Sequence, residues 1–587
     1  MLTRIQTDRV WAATLAALLL LAVAVQVPWT RSAAVLPRSL ALHALAAVCL
    51  HHAARRLRPG AVGAVACMLG LWQALTWAVS EVRWLGLPRL LDGAAALVLL
   101  VAVVGGRLPR RVLLGPLVAA GALGAALGLL QQWVEIPWLV QATRPSSFFV
   151  SRAVAGEYVA TSLLLTVGFV AGRKRPLALA LVGLQVAFLV STRSRTGWAV
   201  AALGLLWVGS RLAARERRAV GASVALAVAL AMLLTPGPRL EWHAPRPYAD
   251  SLASLSRLEL GGRLATWRNT LELVAAHPGW GVGPGGFSAT YPAFHRAVVR
   301  DEAFSAGQQI EEPHNEALRM AVEWGLPGLA LALLRLATLL RGMPRRPGRR
   351  TAALQGALAA LGLASLVSLT FLAIPTLLLA TCVAGLLGRS SRHGSWQPPP
   401  ALTRLAAVAL TGLVAWVDIP HWQASVAWRR AEESARHGNL RSAYETLRGA
   451  APDTHSPFAH ARLAEIARQA GDAPRCAEAA LEGLRRAPLS TRLLYLLGEC
   501  EAARGSLAAA REAHTRGLQL LPDNPYALSG LARLSTGPQR TTLLQRAAEA
   551  ARLEWTLLPP TLAWRERENL QALSRKLEEE LSQAGIP

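Results

Sequence analysis

A series of apolar runs, each about as long as a bilayer is thick and separated by short arginine clusters, limits this chain most. The runs fall at roughly 10–28, 36–54, 60–79, 90–106, 112–131, 153–172, 176–192, 196–210, 218–236, 317–340, 352–371, 373–388 and 402–418. A hydrocarbon core takes about 20 apolar residues per helix. The pattern predicts an all-α, polytopic membrane protein with about 12–13 transmembrane helices. The first run follows Arg4 and Arg9 as a signal peptide would, but no small-residue cleavage site succeeds it, so it reads as an uncleaved helix. The least settled stretch is 352–388, where Pro375 marks either a boundary or a kink.

Hydrophobic residues make up 53% of the chain and charged residues 17%, against about 25% in soluble domains. That balance excludes a cytosolic enzyme, a secreted disulfide scaffold and a disordered chain. The net charge of +26 suggests nucleic acid, but its distribution argues against that partner. Lys174 and Lys576 are the only lysines, and much of the arginine sits between apolar runs, as topology signals do. Basic clusters follow every second run: Arg55, Arg56 and Arg58; Arg107, Arg110 and Arg111; Arg173, Lys174 and Arg175; Arg211, Arg215, Arg217 and Arg218; Arg341, Arg345, Arg346, Arg349 and Arg350. The positive-inside rule turns these loops to the cytoplasm and the other connections outward. The longest outward connection is 237–316, and Trp29, Trp84, Trp133, Trp138 and Trp198 lie where an outer aromatic belt belongs.

Beyond about residue 420 the chain turns polar and periodic. Gly438, Gly471 and Gly505 recur 33 and 34 residues apart, and Pro452, Pro488 and Pro522 recur 36 and 34 apart. Small residues stand at matching offsets: Ala443, Cys476 and Ala510, then Ala450, Gly483 and Gly517. This resembles the tetratricopeptide repeat, with repeats at about 423–455, 456–490 and 491–524 and a degenerate fourth from Pro525. The expected division is a membrane domain over 1–420, a helical solenoid over 421–555 and a terminal helix over 556–587. The solenoid reads equally as a surface for a protein partner and as an assembly module. Cys49, Cys67 and Cys382 read as core residues. Cys476 and Cys500 would pair only if adjacent helices met in an oxidising compartment, and unpaired thiols are the expectation.

Chemistry concentrates in the long outer connection and the run after it. His314-Asn315 is followed by Gly325 and Gly328; upstream stand Arg263 with Trp267, His277-Pro278 and the glycines 281, 283 and 285; further upstream is Thr192-Arg193-Ser194-Arg195-Thr196-Gly197. Gly281, Gly283 and Gly286 also match G-x-G-x-x-G, but without a βαβ context they read as a turn. Glu311 and Glu312 are adjacent, would normally point apart, and read as loop charge. Gly325 and Gly328 read as sites of close packing and a helix break, Asn315 as a possible helix cap, Arg193 as a bystander, Arg268 as structural and His277 as a turn residue.

Together these blocks resemble the O-antigen ligase and O-antigen polymerase superfamily. Motifs carry the resemblance over about 140–390, and the arrangement of runs extends it to about 1–420. Two departures are the extra Arg193 and Ser147 in place of a glycine. The resemblance implies a membrane glycosyltransferase of the bacterial inner membrane, working at its periplasmic face. It takes a glycan from a polyprenyl diphosphate carrier to an acceptor hydroxyl on lipid A–core, a growing glycan or a protein, with no metal or cofactor. It points to His314, Arg263 and Arg195 as catalytic residues, and to Asn315, Trp267 and Arg144 as substrate-binding ones. Glu135 and Arg152 join Arg144 as candidates to line the glycan path. The chemistry agrees: a diphosphate calls for fixed, bidentate guanidinium donors, and a hydroxyl acceptor calls for a base or orienter that titrates near neutrality. A transporter shares the runs but not the clustering of polar residues at one surface. A non-catalytic scaffold leaves Arg195, Arg263 and His314 without a role.

Overall fold

The computed structural model describes residues 2–54, 57–106, 108–140, 144–168, 175–233, 248–249, 263–295, 310–389, 398–557 and 564–583. Arg55, Arg56, Arg107, Arg173 and Lys174 of the basic loops lie outside these residues, as do 234–247, 250–262 and 296–309 of the long connection. Among the described residues there is no strand.

Each of the thirteen apolar runs holds a helix. They are α1 (Leu2–Ala24), α2 (Val35–Ala53), α3 (Gly60–Val79), α4 (Arg83–Gly105), α5 (Arg110–Leu130), α6 (Arg152–Val167), α7 (Arg175–Thr192), α8 (Arg195–Gly209) and α9 (Ala214–Leu233). After α10 (Arg263–Ala276) in the long connection come α11 (Glu316–Arg341), α12 (Arg349–Ala364), α13 (Ile374–Gly388) and α14 (Pro400–Arg436). Six of them, α3, α4, α5, α7, α11 and α14, are long and apolar enough by themselves to cross a membrane. The uncertain 352–388 stretch resolves into two helices, α12 and α13, joined by an irregular segment 365–373.

Contacts between loops separate two faces. On one, Arg349 pairs with Glu216 at 2.9 Å and Arg175 donates to Arg215 O at 3.3 Å. On that face too, Arg389 donates to Val103 O at 2.9 Å and Leu108 O at 2.6 Å. The basic connections thus gather together. On the other face, Gln26 donates to Phe148 O at 3.0 Å and Gln132 to Ser191 Oγ at 3.1 Å. There Ser80 donates to Val282 O at 2.7 Å. The connections therefore alternate in side along the chain, as the arginine pattern requires.

The polar remainder is a helical solenoid. It is built from the second half of α14 with α15 (Leu440–Ala450), then α16 (Pro457–Gln469) with α17 (Ala473–Arg486). Next come α18 (Thr491–Ala503) with α19 (Leu507–Leu520), α20 (Pro525–Arg533) with α21 (Gly537–Leu557), and a last helix, α22 (Trp564–Gln583). The repeat glycines turn each hairpin in the left-handed region, at φ 79° for Gly438, 74° for Gly471 and 81° for Gly505, where a side chain is costly. Asn439, Asp472, Ser490 and Asn524 cap the helices that follow. Ala443, Cys476 and Ala510 are fully buried where the helices cross. Contrary to the expectation of free thiols, Cys476 and Cys500 form a disulfide, with Cα atoms 5.6 Å apart, because α17 and α18 pack side by side.

The expected division at 420 falls inside α14, which runs unbroken for 37 residues from an apolar segment into the first repeat. Its middle is anchored in the membrane domain. The buried imidazole of His43 on α2 lies 2.7 Å from Asp418 of α14 and 3.1 Å from Asp92 of α4. The solenoid then folds back on the face opposite the basic loops. Ser425 O accepts from Arg31 N at 3.1 Å. Trp84 donates to Pro452 O at 2.6 Å, and its own carbonyl meets His455 Nδ1 at 2.8 Å. Trp84 thus serves as a docking residue rather than a member of a lipid-facing belt. Trp29, Trp133 and Trp138 remain exposed.

Candidate functional site

The segment 192–197 is a helix-to-helix corner. Thr192 ends α7, Arg193 turns the chain at φ 53°, and Ser194 caps α8 by accepting from Gly197 N at 3.2 Å. The corner seats on α6, because Gly156 and Gly197 let the two backbones touch; a Cβ at Gly156 would collide with Ser194. Arg195 is therefore the first residue of α8 and is half-buried. A helix start is already electropositive, so a guanidinium added there makes an anion site rather than a stable cap. Arg263 begins α10 in the same way.

Arg263 is held by a hydrogen bond from Nη1 to Val367 O at 2.9 Å. Burial, and then the nearby Arg195, push its pKa down, while the carboxylate of Glu157 pulls it back. One turn along α10, Trp267 donates to Pro313 O at 2.8 Å, which ties this helix to the residue before His314. His314 itself sits in the left-handed region at φ 52°. Burial first, and Arg263 second, lower its pKa, opposed by Glu312. A neutral imidazole beside a guanidinium pair can accept a proton from a hydroxyl.

Asn315 caps α11 by accepting from Leu318 N at 3.0 Å, and its Nδ2 donates to Leu366 O at 3.0 Å. Glu316 accepts from Phe371 N at 2.8 Å. The segment 365–373 thus binds Arg263, Asn315 and Glu316 at once. It also reaches α6, where the buried Glu157 accepts from Thr370 Oγ1 at 2.9 Å.

The glycine block forms a turn, as expected. Val282 N and Gly283 N donate to the carbonyls of Val322 and Glu323 at 2.8 and 2.9 Å, and Leu326 N donates to Pro278 O at 2.8 Å. These bonds fill the gap where α11 breaks at Gly325 (φ 68°, ψ 178°), a conformation essentially reserved for glycine. Gly328 lies against Trp72. Glu312, expected as loop charge, is instead buried and paired with Arg89 of α4, while the adjacent Glu311 faces out. Arg89 also lies 3.7 Å from Glu323, and Arg319 bridges Glu316 at 2.6 Å and Glu323 at 2.8 Å. The i, i+3 and i+4 spacing puts these three α11 groups on one face. Sequence reasoning passed over this network and Glu157. The available signal was an ionisable residue inside an apolar run.

His277 closes α10 in an exposed turn, and Arg268 is exposed. Ser147 stands at φ 54°, a conformation that glycine adopts at little cost. Arg144 lies at the start of the segment before Ser147, and no contact among the described residues joins it to the cluster. A small cleft separates the long connection from the solenoid. Tyr291, Pro292, His295 and Ile310 line one wall, and Thr491, Leu520 and Leu521 the other.

Residues 177–333 match the family described as O-antigen ligase. No match was found among curated proteins. Among solved structures, the crystal structure of the yeast Tom70 aligns with 73% of this chain and 90% of its own, at 14% identity and a TM-score of 0.20, too low a score to bear on fold or function. The matched segment carries Arg195, Arg263 and His314, and with the long apolar helices around it the protein is a multi-pass membrane protein that is similar over 177–333 to the O-antigen ligase family.

Proposed function

We propose that the protein transfers a glycan from a polyprenyl diphosphate carrier to an acceptor hydroxyl, at the periplasmic face of the bacterial inner membrane. The observation that carries this reading is that hydrogen bonds from Arg263 to Val367 O, from Asn315 to Leu366 O and from Trp267 to Pro313 O bring Arg263 and His314 together, with Arg195 near enough to press on the charge of Arg263. In this reading the two guanidiniums, each at a helix start, bind the diphosphate and stabilise it as it leaves. The neutral imidazole of His314 takes the proton of the attacking hydroxyl. The fixed cations supply the charge that a metal would otherwise bring. Trp267 and Asn315 hold the two sides of the site together, and Arg144 stands ready for the glycan. The periplasmic assignment follows from the positive-inside rule, and the disulfide in the solenoid fits an oxidising compartment.

The acceptor is lipid A–core or a growing glycan. A protein hydroxyl is the second reading, favoured by the cleft that the solenoid shares with the long connection. Lipopolysaccharide gels of a deletion strain, complemented with wild type or His314→Ala, test the proposal. Core without O-chains indicates a ligase, core with one repeat a polymerase, and an unchanged ladder a different acceptor. Full rescue of a lost phenotype by His314→Ala would overturn the assignment.

A further inference from the structure

Two guanidiniums that repel each other need a counter-charge while no anion is bound. Glu157 on α6 is a buried carboxylate whose charge reaches Arg263. It lies one residue beyond Gly156, the contact point of the corner that carries Arg195. It accepts from Thr370, three residues from the Val367 carbonyl that holds Arg263. The residue is 1% exposed, so its field acts through protein rather than water. The geometry points to Glu157 as the positioning counter-ion of the Arg195–Arg263 pair, which keeps the pair in place when empty and weakens its hold on a bound diphosphate. This rests on the reading of that pair as the diphosphate site.

The role has a signature that a packing role lacks. Removing the charge while keeping the shape should make anion binding stronger, whereas damage to packing makes it weaker. Glu157→Gln keeps an oxygen that accepts from Thr370 and loses only the charge. Glu157→Met replaces the carboxylate with an apolar chain of similar length.

The experiment is calorimetric titration of the full-length protein in detergent with inorganic pyrophosphate. Both Glu157 variants are expected to bind about fivefold more tightly than wild type. Equal or weaker binding by whichever Glu157 variants fold overturns the proposal. Arg263→Ala separates the two claims. If it binds pyrophosphate as well as wild type, the diphosphate reading of the pair fails. If it loses binding while the Glu157 variants show no gain, only the counter-ion role fails.

Discussion

At the scale of single residues, the chemistry rests on how burial and a neighbouring cation treat one imidazole. His314 has its pKa lowered by burial and by Arg263, so the neutral form persists below the ordinary histidine value of about 6.5. A reaction that needs neutral imidazole then holds its rate through neutrality and loses it only as the pH falls past that lowered value. A pH–rate profile of glycan transfer should show its acid limb below 6.5. In Arg263→Gln, where the repulsion is gone, the residual activity should show the limb at higher pH. A limb that stays in place would separate Arg263 from His314. His314→Ala should cost about 10²- to 10⁴-fold in rate, the usual worth of a general base. These three residues were legible because each belongs to a motif with its own spacing. Glu157 and Arg89 were not, because each gains meaning only from partners far away in sequence, Thr370 and Glu312.

At the scale of elements, the apolar runs were legible because a bilayer-length stretch has few alternatives to a helix. The irregular segment 365–373 was not. Its importance lies in backbone groups, Val367 O, Leu366 O and Phe371 N, that bind other elements, and backbone groups leave no trace in sequence. The glycines fall between these cases, and two of them make a clean comparison. Gly325 combines φ 68° with ψ 178°, and a Cβ there would strike the Gly279 carbonyl. Gly438 has φ 79°, with nothing within 4 Å of an added Cβ. Gly438→Ala meets only the backbone preference, about 1–2 kcal/mol. Gly325→Ala meets that strain and a collision that parts α11 from the glycine turn. Thermal unfolding of the two variants should show a modest shift for Gly438→Ala. Gly325→Ala should lose both stability and glycan transfer. Equal shifts would mean that the break in α11 is not held by its contact with the turn.

At the scale of the whole molecule, α4 links the parts. Its first turns carry Trp84, which meets the solenoid, Arg89, which pairs with Glu312 two residues from His314, and Asp92, which reaches His43 and through it the helix that bears the solenoid. A loosened solenoid therefore acts on the element that supports the site. The dock around Trp84 is also sensitive to acid. Arg486 packs over the Trp84 ring, with His460 Nε2 3.4 Å from Arg486 Nη1. Burial, then Arg486, lower the His460 pKa to about 4, against the pull of Glu482. Burial also lowers that of the neighbouring His455, which the Trp84 carbonyl and Asp453 partly offset. A histidine whose folded pKa lies below its unfolded value stabilises the fold above about pH 6.5. That contribution fades as the pH falls toward 4. Each pH unit across that window should favour the opened dock by up to roughly tenfold for each proton taken up. Hydrogen exchange over 452–460 should quicken between pH 7 and 5 while the α2–α4 core stays protected. Trp84→Ala should show the faster exchange already at pH 7, and with it a slower transfer rate, because Arg89 loses the neighbour that fixes its helix start. Exchange that is indifferent to pH, or a Trp84→Ala protein with normal transfer, would leave the solenoid as a passenger on the membrane domain.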